Sequence, residues 1–516
     1  MNKKEDIERL KAMRVQVLEG GGAQRREKQH EKGKLDARER IAKLVDGESF
    51  VESQTYMSCR SQSFGLEKHR IAGDGVVTGS GVVDNRQVWI SSQDFTVLGG
   101  SLGEQHAQRI AHVQELALKT GKPFIQINDS GGARIQEGIY SLDGYGKIFR
   151  NNILASGVIP QFSLILGPCA GGAAYSPALT DFVFMVEKTS QMYITGPDVI
   201  RTVTGEQVSH EQLGGAKTHA ARSGNVHFYC ADEHECFATV RQLLSYLPSN
   251  NREQPPVREN KESRARPSSK VSEILPERAS KAYDVIEIIN DICDRGSFLE
   301  VHKEFAKNIV VGFVRIGGRS VGIIANQPKA LSGTLDIDSS DKAARFVRTC
   351  DAFNVPVISL VDVPGYMPGT VQEYGGIIRH GAKLLYAIGE ASVPKISVVL
   401  RKAYGGAYIA MASKALGYDR VLALPGSEIA VMGAEGAAEI IYRKEIAQAG
   451  DTERKREEKV EEFRQNIMNP FVAAGAGMVD EVVLPEEIRN ELIRSLEMLI
   501  SKHESRPIKK HGNLPV

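Results

Sequence analysis

Two short turns carry the chemistry this sequence can be expected to do. Gly171, Gly172 and Ala173 follow an apolar run, and 234 positions later Gly405, Gly406 and Ala407 follow another. Small residues at such a turn leave backbone N–H groups open to a ligand oxygen, and a helix starting there favours negative charge. Each turn has a companion loop after the preceding apolar run: Asp129-Ser-Gly-Gly-Ala, with Gly131, Gly132 and Ala133, and Asp362-Val-Pro-Gly-Tyr, with Gly365. Pro123 and Pro356, Asp129 and Asp362, and Gly132 and Gly365 are each 233 apart. A single Gly-Gly-Ala turn is more often only a tight bend that exploits glycine's freedom. Two at matched positions point to a pair of anion cradles, able to steady two developing negative charges.

Side chains suited to nucleophilic or metal chemistry are not arranged for it. Ser176 follows the first turn in Tyr175-Ser-Pro, outside any G-x-S-x-G elbow. No H-E-x-x-H is present, and Gly376 to Lys383 lacks the Gly-Lys-Ser/Thr ending of a phosphate loop. Gly73-Asp-Gly-Val-Val-Thr-Gly has its third glycine misplaced for a dinucleotide fingerprint. His227, Cys230, His234 and Cys236 match no common zinc spacing, and strand alternation sends His227 and Cys230 to opposite faces. No metal site is expected. Two oxyanion cradles without a side-chain base suit enolate chemistry in which the reactants move the proton between themselves.

The elements that must position these turns read as α/β. Residues 1 to about 45 are helical, with Asp36 placed to cap the segment after it. Runs at 75–79 and 87–90 flank Asp84-Asn85, a hairpin turn. A helix from Glu104 to Lys119 ends at Gly121, a C-cap. Short apolar strands at 123–127 and 160–167 enclose another helical stretch, and strand–helix–strand repetition means parallel pairing. The plan recurs with strands at 309–314, 320–325, 356–361 and 395–400, and the charged stretch 443–465 reads as a solvated helix. The polar, proline-rich composition near 256–280 marks a linker between an N-terminal domain, 1–255, and a C-terminal domain, 281–516.

Size and composition agree. At 516 residues the chain exceeds one core and suits two large domains. A formal net charge of +1 offers nothing to nucleic acid. Six scattered cysteines without a C-x-x-C pair suit free thiols in a reducing compartment. An N-terminus with acidic residues and no apolar stretch, and no apolar run of membrane-spanning length, place the chain in the cytoplasm.

Longer motifs are distinctive. Lys32-Gly-Lys-Leu-Asp-Ala-Arg-Glu-Arg-Ile, Asn128-Asp-Ser-Gly-Gly-Ala-Arg-Ile-Gln-Glu-Gly, Cys169-Ala-Gly-Gly-Ala-Ala-Tyr-Ser-Pro-Ala, Asn326-Gln-Pro, Val361-Asp-Val-Pro-Gly-Tyr-Met-Pro-Gly-Thr and Arg401-Lys-Ala-Tyr-Gly-Gly-Ala-Tyr together resemble the biotin-dependent acyl-CoA carboxyltransferase family, in its propionyl-CoA carboxylase β and methylmalonyl-CoA decarboxylase α branch. The resemblance runs through the whole chain in order. It implies two tandem crotonase-like (ClpP/crotonase) domains and a homohexamer with active sites between the N-domain of one protomer and the C-domain of its partner. It places the acyl-thioester cradle at Gly171, Gly172 and Ala173, with Gly131, Gly132 and Ala133 beside it. Tyr408 and Ile409 become acyl-pocket residues. Gly405, Gly406 and Ala407, with Gly365, become the biotin site. The implied reaction moves a carboxyl group between carboxybiotin and the α-carbon of a short-chain acyl-CoA.

No Met-Lys-Met biotinylation motif and no ATP-binding portion are present, so biotin arrives on another chain, a carrier or biotin carboxylase subunit. The four-cysteine zinc ribbon of bacterial acetyl-CoA carboxylase β subunits is also missing. Ile409 stands where propionyl-CoA carboxylases usually carry aspartate, and Ala423-Leu-Pro where a tryptophan often precedes the proline, so the preferred acyl group stays open. A methylmalonyl-CoA decarboxylase α subunit with a membrane-bound partner would run the same transfer in reverse. A crotonase-type hydratase or isomerase needs one cradle and a carboxylate pair, and the duplicated cradle speaks against it. A non-catalytic scaffold would have lost its glycine turns.

Overall fold

The computed structural model describes residues 3–69, 71–259, 262–263, 266–278 and 281–516. It divides into two compact units, Met1–Glu253 and Gln254–Val516. The first is built on strands β1 (Val51–Glu52), β2 (Val76–Val83), β3 (Arg86–Gln93), β4 (Phe124–Ser130), β5 (Gln161–Ala170), β6 (Phe182–Val186), β7 (Gln191–Tyr193) and β8 (Phe228–Cys230). The second uses β9 (Leu299–Val301), β10 (Ile309–Ile316), β11 (Arg319–Asn326), β12 (Val357–Val363), β13 (Lys395–Tyr404), β14 (Arg420–Ala423), β15 (Glu428–Ala430) and β16 (Glu481–Val482).

Strand order is the same in both. The first sheet runs β1-β2-β3-β4-β5-β6-β8 with β7 on β5, and the second β9-β10-β11-β12-β13-β14-β16 with β15 on β13. In each, the first three strands pair antiparallel and the rest parallel. The hairpin forms because Asp84 (φ 48°) and Asn85 (φ 63°) both adopt the left-handed conformation that a tight two-residue turn requires. Every residue of β4 and of β12 is buried, as strands covered on both faces must be. The helix Glu104–Thr120 ends on Gly121 in the left-handed conformation.

The duplication extends to an irregularity. Between Asn128 and Ser130 the pairing of β4 with β5 slips, Asn128 opposing Ile165 but Ser130 opposing Cys169. Between Val361 and Val363 the pairing of β12 with β13 slips equally, Val361 opposing Val399 and Val363 opposing Ala403. The extra residues in β5 and β13 immediately precede the two Gly-Gly-Ala turns. A bulge bends its strand and re-aims the residues beyond it.

Asp36 begins the helix Ala37–Leu44. Its carboxylate accepts from the amides of Arg38 (2.9 Å) and Glu39 (2.8 Å), while Glu39 accepts the Asp36 amide. Asp36→Ala is expected to cost about 1 kcal/mol, read as a lower urea midpoint at unchanged slope.

The described part of 256–280 is packed on the second unit, to which it belongs. Ser268 donates its amide to the Glu486 carbonyl (3.0 Å), Arg258 to Gly318 (3.0 Å), and Val271 is buried in the second core. Residues 260–261, 264–265 and 279–280 of that stretch lie outside the described residues. The charged stretch 443–465 forms two helices, Arg443–Gln448 and Thr452–Phe463, and Val460 and Phe463 pack with Tyr404. Its charges face outward, but a narrow apolar stripe anchors it beside the second turn.

Candidate functional site

In the first unit the chain leaves β5 and turns at Gly171 (φ 59°, ψ −123°) into the helix Gly172–Ala178. Any side chain at that φ is strained, so glycine is required. Gly171 was expected to supply a donor, but its N–H lies 3.1 Å from the carbonyls of both Tyr193 and Ile194. The cause is β7, which runs parallel beside β5 and claims that amide. The next two amides, of Gly172 and Ala173, have no acceptor among the described residues. Of the three residues expected there, Gly172 and Ala173 keep amides open to a ligand, and Gly171 sets the conformation of the turn.

Tyr145, from the helix Ile139–Ala155, closes one side of that turn. A Cβ on Gly172 would lie 2.8–3.0 Å from Cδ2, Cε2 and Cγ of its ring. In the companion loop the Gly131 amide is given to Gly99 (2.9 Å) and the Gly132 amide to Ser130 Oγ (3.1 Å), while that of Ala133 is unspent among the described residues. Ala133, Tyr145 and Ala173 share one hydrophobic cluster.

The second unit repeats the turn with different packing. Gly405 (φ 57°) opens the helix Gly405–Ala412, and the amides of Gly406 and Ala407 have no acceptor among the described residues. Gly365 (φ 141°) lies in the companion loop, and its carbonyl accepts the Leu335 amide (3.1 Å). The ring beside this turn comes from the companion loop itself. Tyr366 carbons lie 3.6 Å from where a Cβ on Gly406 would be, and the ring is seated on Gly381, in the helix Ile377–Glu390. Tyr366 stands at the position of Ala133, so a large residue on the loop and a small one on the helix replace the reverse arrangement in the first unit. Tyr408 is half-buried, and Ile409, 46% exposed, projects from the same helix. Tyr404, just before the turn, hydrogen-bonds the Glu428 carboxylate. Burial and that carboxylate push its phenol above its ordinary range.

These turns can hold oxygen anions but supply no nucleophile. Ser176 Oγ, one turn into the first helix, is committed to Asn152 (3.0 Å) and Gln126 (3.3 Å). All six cysteines are buried, and burial pushes the Cys169 thiol up. Among the described residues no three His, Cys, Asp or Glu side chains group to hold a metal ion, and His227 Nδ1 faces the Val183 amide (3.1 Å). Tyr145 and Tyr366 escaped sequence reading. The large/small exchange between loop and helix was a signal that could have found them.

Three comparisons place this geometry among known proteins. A model of the carboxyl transferase domain matches residues 28–514. The propionyl-CoA carboxylase carboxyltransferase subunit of Haloferax mediterranei is 54% identical over 516 residues, covering 100% of both chains. The methylmalonyl-CoA decarboxylase α subunit of Veillonella parvula is 54% identical over 99% of both. A solved transcarboxylase 12S hexamer with methylmalonyl-CoA and methylmalonic acid bound superposes with a TM-score of 0.98, at 51% identity, covering 100% of this chain and 99% of that one.

Proposed function

The chain belongs to the carboxyl transferase family, and from that membership we propose that its first unit holds the thioester of a short-chain acyl-CoA and its second the ureido group of carboxybiotin. It is a carboxyltransferase of the propionyl-CoA carboxylase and transcarboxylase type. The observation that carries the finer reading is the pair of unspent amides at each turn, Gly172 with Ala173 and Gly406 with Ala407.

Gly406 and Ala407 would donate to the ureido oxygen of a carrier's biotin, a group that would supply the carboxyl carbon and take up the α-proton. Gly172 and Ala173 donate to the thioester oxygen, which gains charge as the α-proton leaves. The α-carbon gains the carboxyl group in that proton's place. Each donor acts on charge that develops only during the reaction, where such donors contribute most. The second turn fits a ureido group because its two amides are free and Gly406 is exposed.

The carboxyl group reaches this chain on a separate biotin carrier or biotin carboxylase subunit, and the assembly is a cytoplasmic homohexamer. Large apolar side chains left exposed on the described surface, Ile135, Ile139 and Tyr140 in the first unit and Val371, Tyr374 and Ile378 in the second, support self-association. No described helix is long and apolar enough to cross a membrane. The alternative for this chain, which is 54% identical to a relative named methylmalonyl-CoA decarboxylase α subunit, is the same transfer run in reverse, with a membrane-bound partner setting the direction. Purified protein given free biotin and methylmalonyl-CoA is expected to release propionyl-CoA only when biotin is present. Turnover that ignores biotin, or none, overturns the reading. Malonyl-CoA in parallel reports the acyl preference at Ile409, where one methyl group decides by about 1–3 kcal/mol.

A further inference from the structure

We propose that the N-terminal segment Gln29–Arg40 positions the acyl-thioester turn, and that Arg401 does the same for the ureido turn, so that the two half-sites are set by unrelated cations. The inference rests on the reading of the two turns as thioester and ureido cradles. It begins with Asp129 and Asp362, the next-to-last residues of β4 and β12, at the step where the register slips. Both are buried, and each gives its amide to a side-chain oxygen on the neighbouring strand: Asp129 to Gln93 Oε1 and Asp362 to Asn326 Oδ1, both at 3.2 Å. Gln93 and Asn326 are themselves 233 positions apart, so the duplicated fold placed one carboxylate post in each half.

The cations on these posts differ. Asp129 receives Arg40 Nη1 (2.8 Å), Lys34 Nζ (2.8 Å) and Gln29 Nε2 (3.2 Å), all from the segment before the sheet. Arg40 also donates through Nη2 to the Leu166 carbonyl (2.8 Å), inside the bulge of β5, and through Nε and Nη2 to Glu233 (2.9 and 2.7 Å). One fully buried guanidinium therefore ties the end of β4 to the bulge five residues before Gly171. Burial works against the Arg40 charge, but Asp129 and Glu233 outweigh it and hold it firmly protonated. In the second unit the bulge carries its own cation. Arg401 Nε reaches Asp362 (2.8 Å), its Nη1 reaches the Lys281 carbonyl (2.8 Å), and its guanidinium lies 4.8 Å from the Tyr283 ring centre.

The position equivalent to Arg401 in the first unit is Gly167. A Cβ there would collide with Asp129 Oδ1 and lie 2.8 Å from Lys34 Nζ, so the space that Arg401 fills from within its strand is filled in the first unit by the N-terminal segment. The Lys32–Ile41 motif thus has a task in the site without contacting either reactant. Arg40, Lys34 and Arg401 are positioning residues.

The test uses full-length Arg40→Lys, Lys34→Met, Arg401→Lys and Arg401→Met in the free-biotin reaction with methylmalonyl-CoA. Arg40→Lys and Lys34→Met are expected to lower kcat about tenfold, because the turn's amides miss the developing charge, and to raise the KM for the thioester, whose ground-state oxygen they also hold, while the KM for biotin stays within about twofold. Arg401→Met is expected to lower kcat likewise but to raise the KM for biotin instead, and Arg401→Lys to regain part of the loss; a full ångström of misplacement would cost about 10²-fold in rate, and these shifts are smaller. The lysine variants keep the buried charge, so they decide the matter if a methionine variant does not fold. Folded variants in which both KM values move together, or neither moves, overturn the proposal. A wild-type protein without biotin-dependent turnover overturns instead the two-turn reading.

Discussion

Gly172→Ala is expected to lower kcat in the free-biotin reaction about 10²- to 10³-fold, the effect of losing one oxyanion donor, about 2.7–4 kcal/mol. The new methyl would lie 2.8–3.0 Å from three carbons of the Tyr145 ring. That ring is buried, 4% exposed, among Leu102, Ile148, Cys169 and Ala173, and has nowhere to retreat. Close-packed interiors transmit such strain, so the turn moves and its amides leave the thioester oxygen. The KM for biotin is expected to hold, because the second unit is untouched. Gly172→Ala combined with Tyr145→Val removes the collision and is expected to regain much of the lost rate. Wild-type kcat in the single variant would refute the assignment of the first cradle.

The second large effect is a contrast between neighbours. Gly405 adopts φ 57°, and a Cβ there would lie 3.1 Å from the Val431 carbonyl oxygen. Gly406 has no such φ, and its Cβ would make ordinary 3.6 Å contacts with Tyr366. Gly405→Ala is therefore expected to cost about 1–2 kcal/mol of stability for the left-handed backbone alone. Carboxyl transfer should fall with it by about 10² as the amides of Gly406 and Ala407 are re-aimed. Gly406→Ala should leave stability within about 0.5 kcal/mol. Denaturation curves beside transfer rates separate the two, and equal destabilisation by both would discredit the turn geometry.

Sequence reading reached the repeated plan because the repeat is local. Strand–turn–helix signals at 123–133 and 356–366 recur with fixed spacing, and Asp84-Asn85 and Gly121 do what their chemistry demands wherever they stand. What it missed depends on long-range packing. Gly171 lost its amide to β7, a three-residue strand too short to announce itself. Arg40 and Asp129 meet across 89 positions, and nothing near Arg40 in sequence marks its partner. The stretch 443–465 was read from its charges, and the two buried residues that fasten it, Val460 and Phe463, are too few to raise a periodic signal.

The exchange of ring and hole between the halves has an evolutionary corollary. Ala133 with Tyr145, and Tyr366 with Gly381, are alternative solutions to one packing problem. Neither half can borrow a single residue from the other: tyrosine at 133 would crowd two rings into one space, and glycine at 145 would open a void. Divergence after the duplication had to change such residues as couples, and chimeras between the halves will tolerate swaps only two at a time.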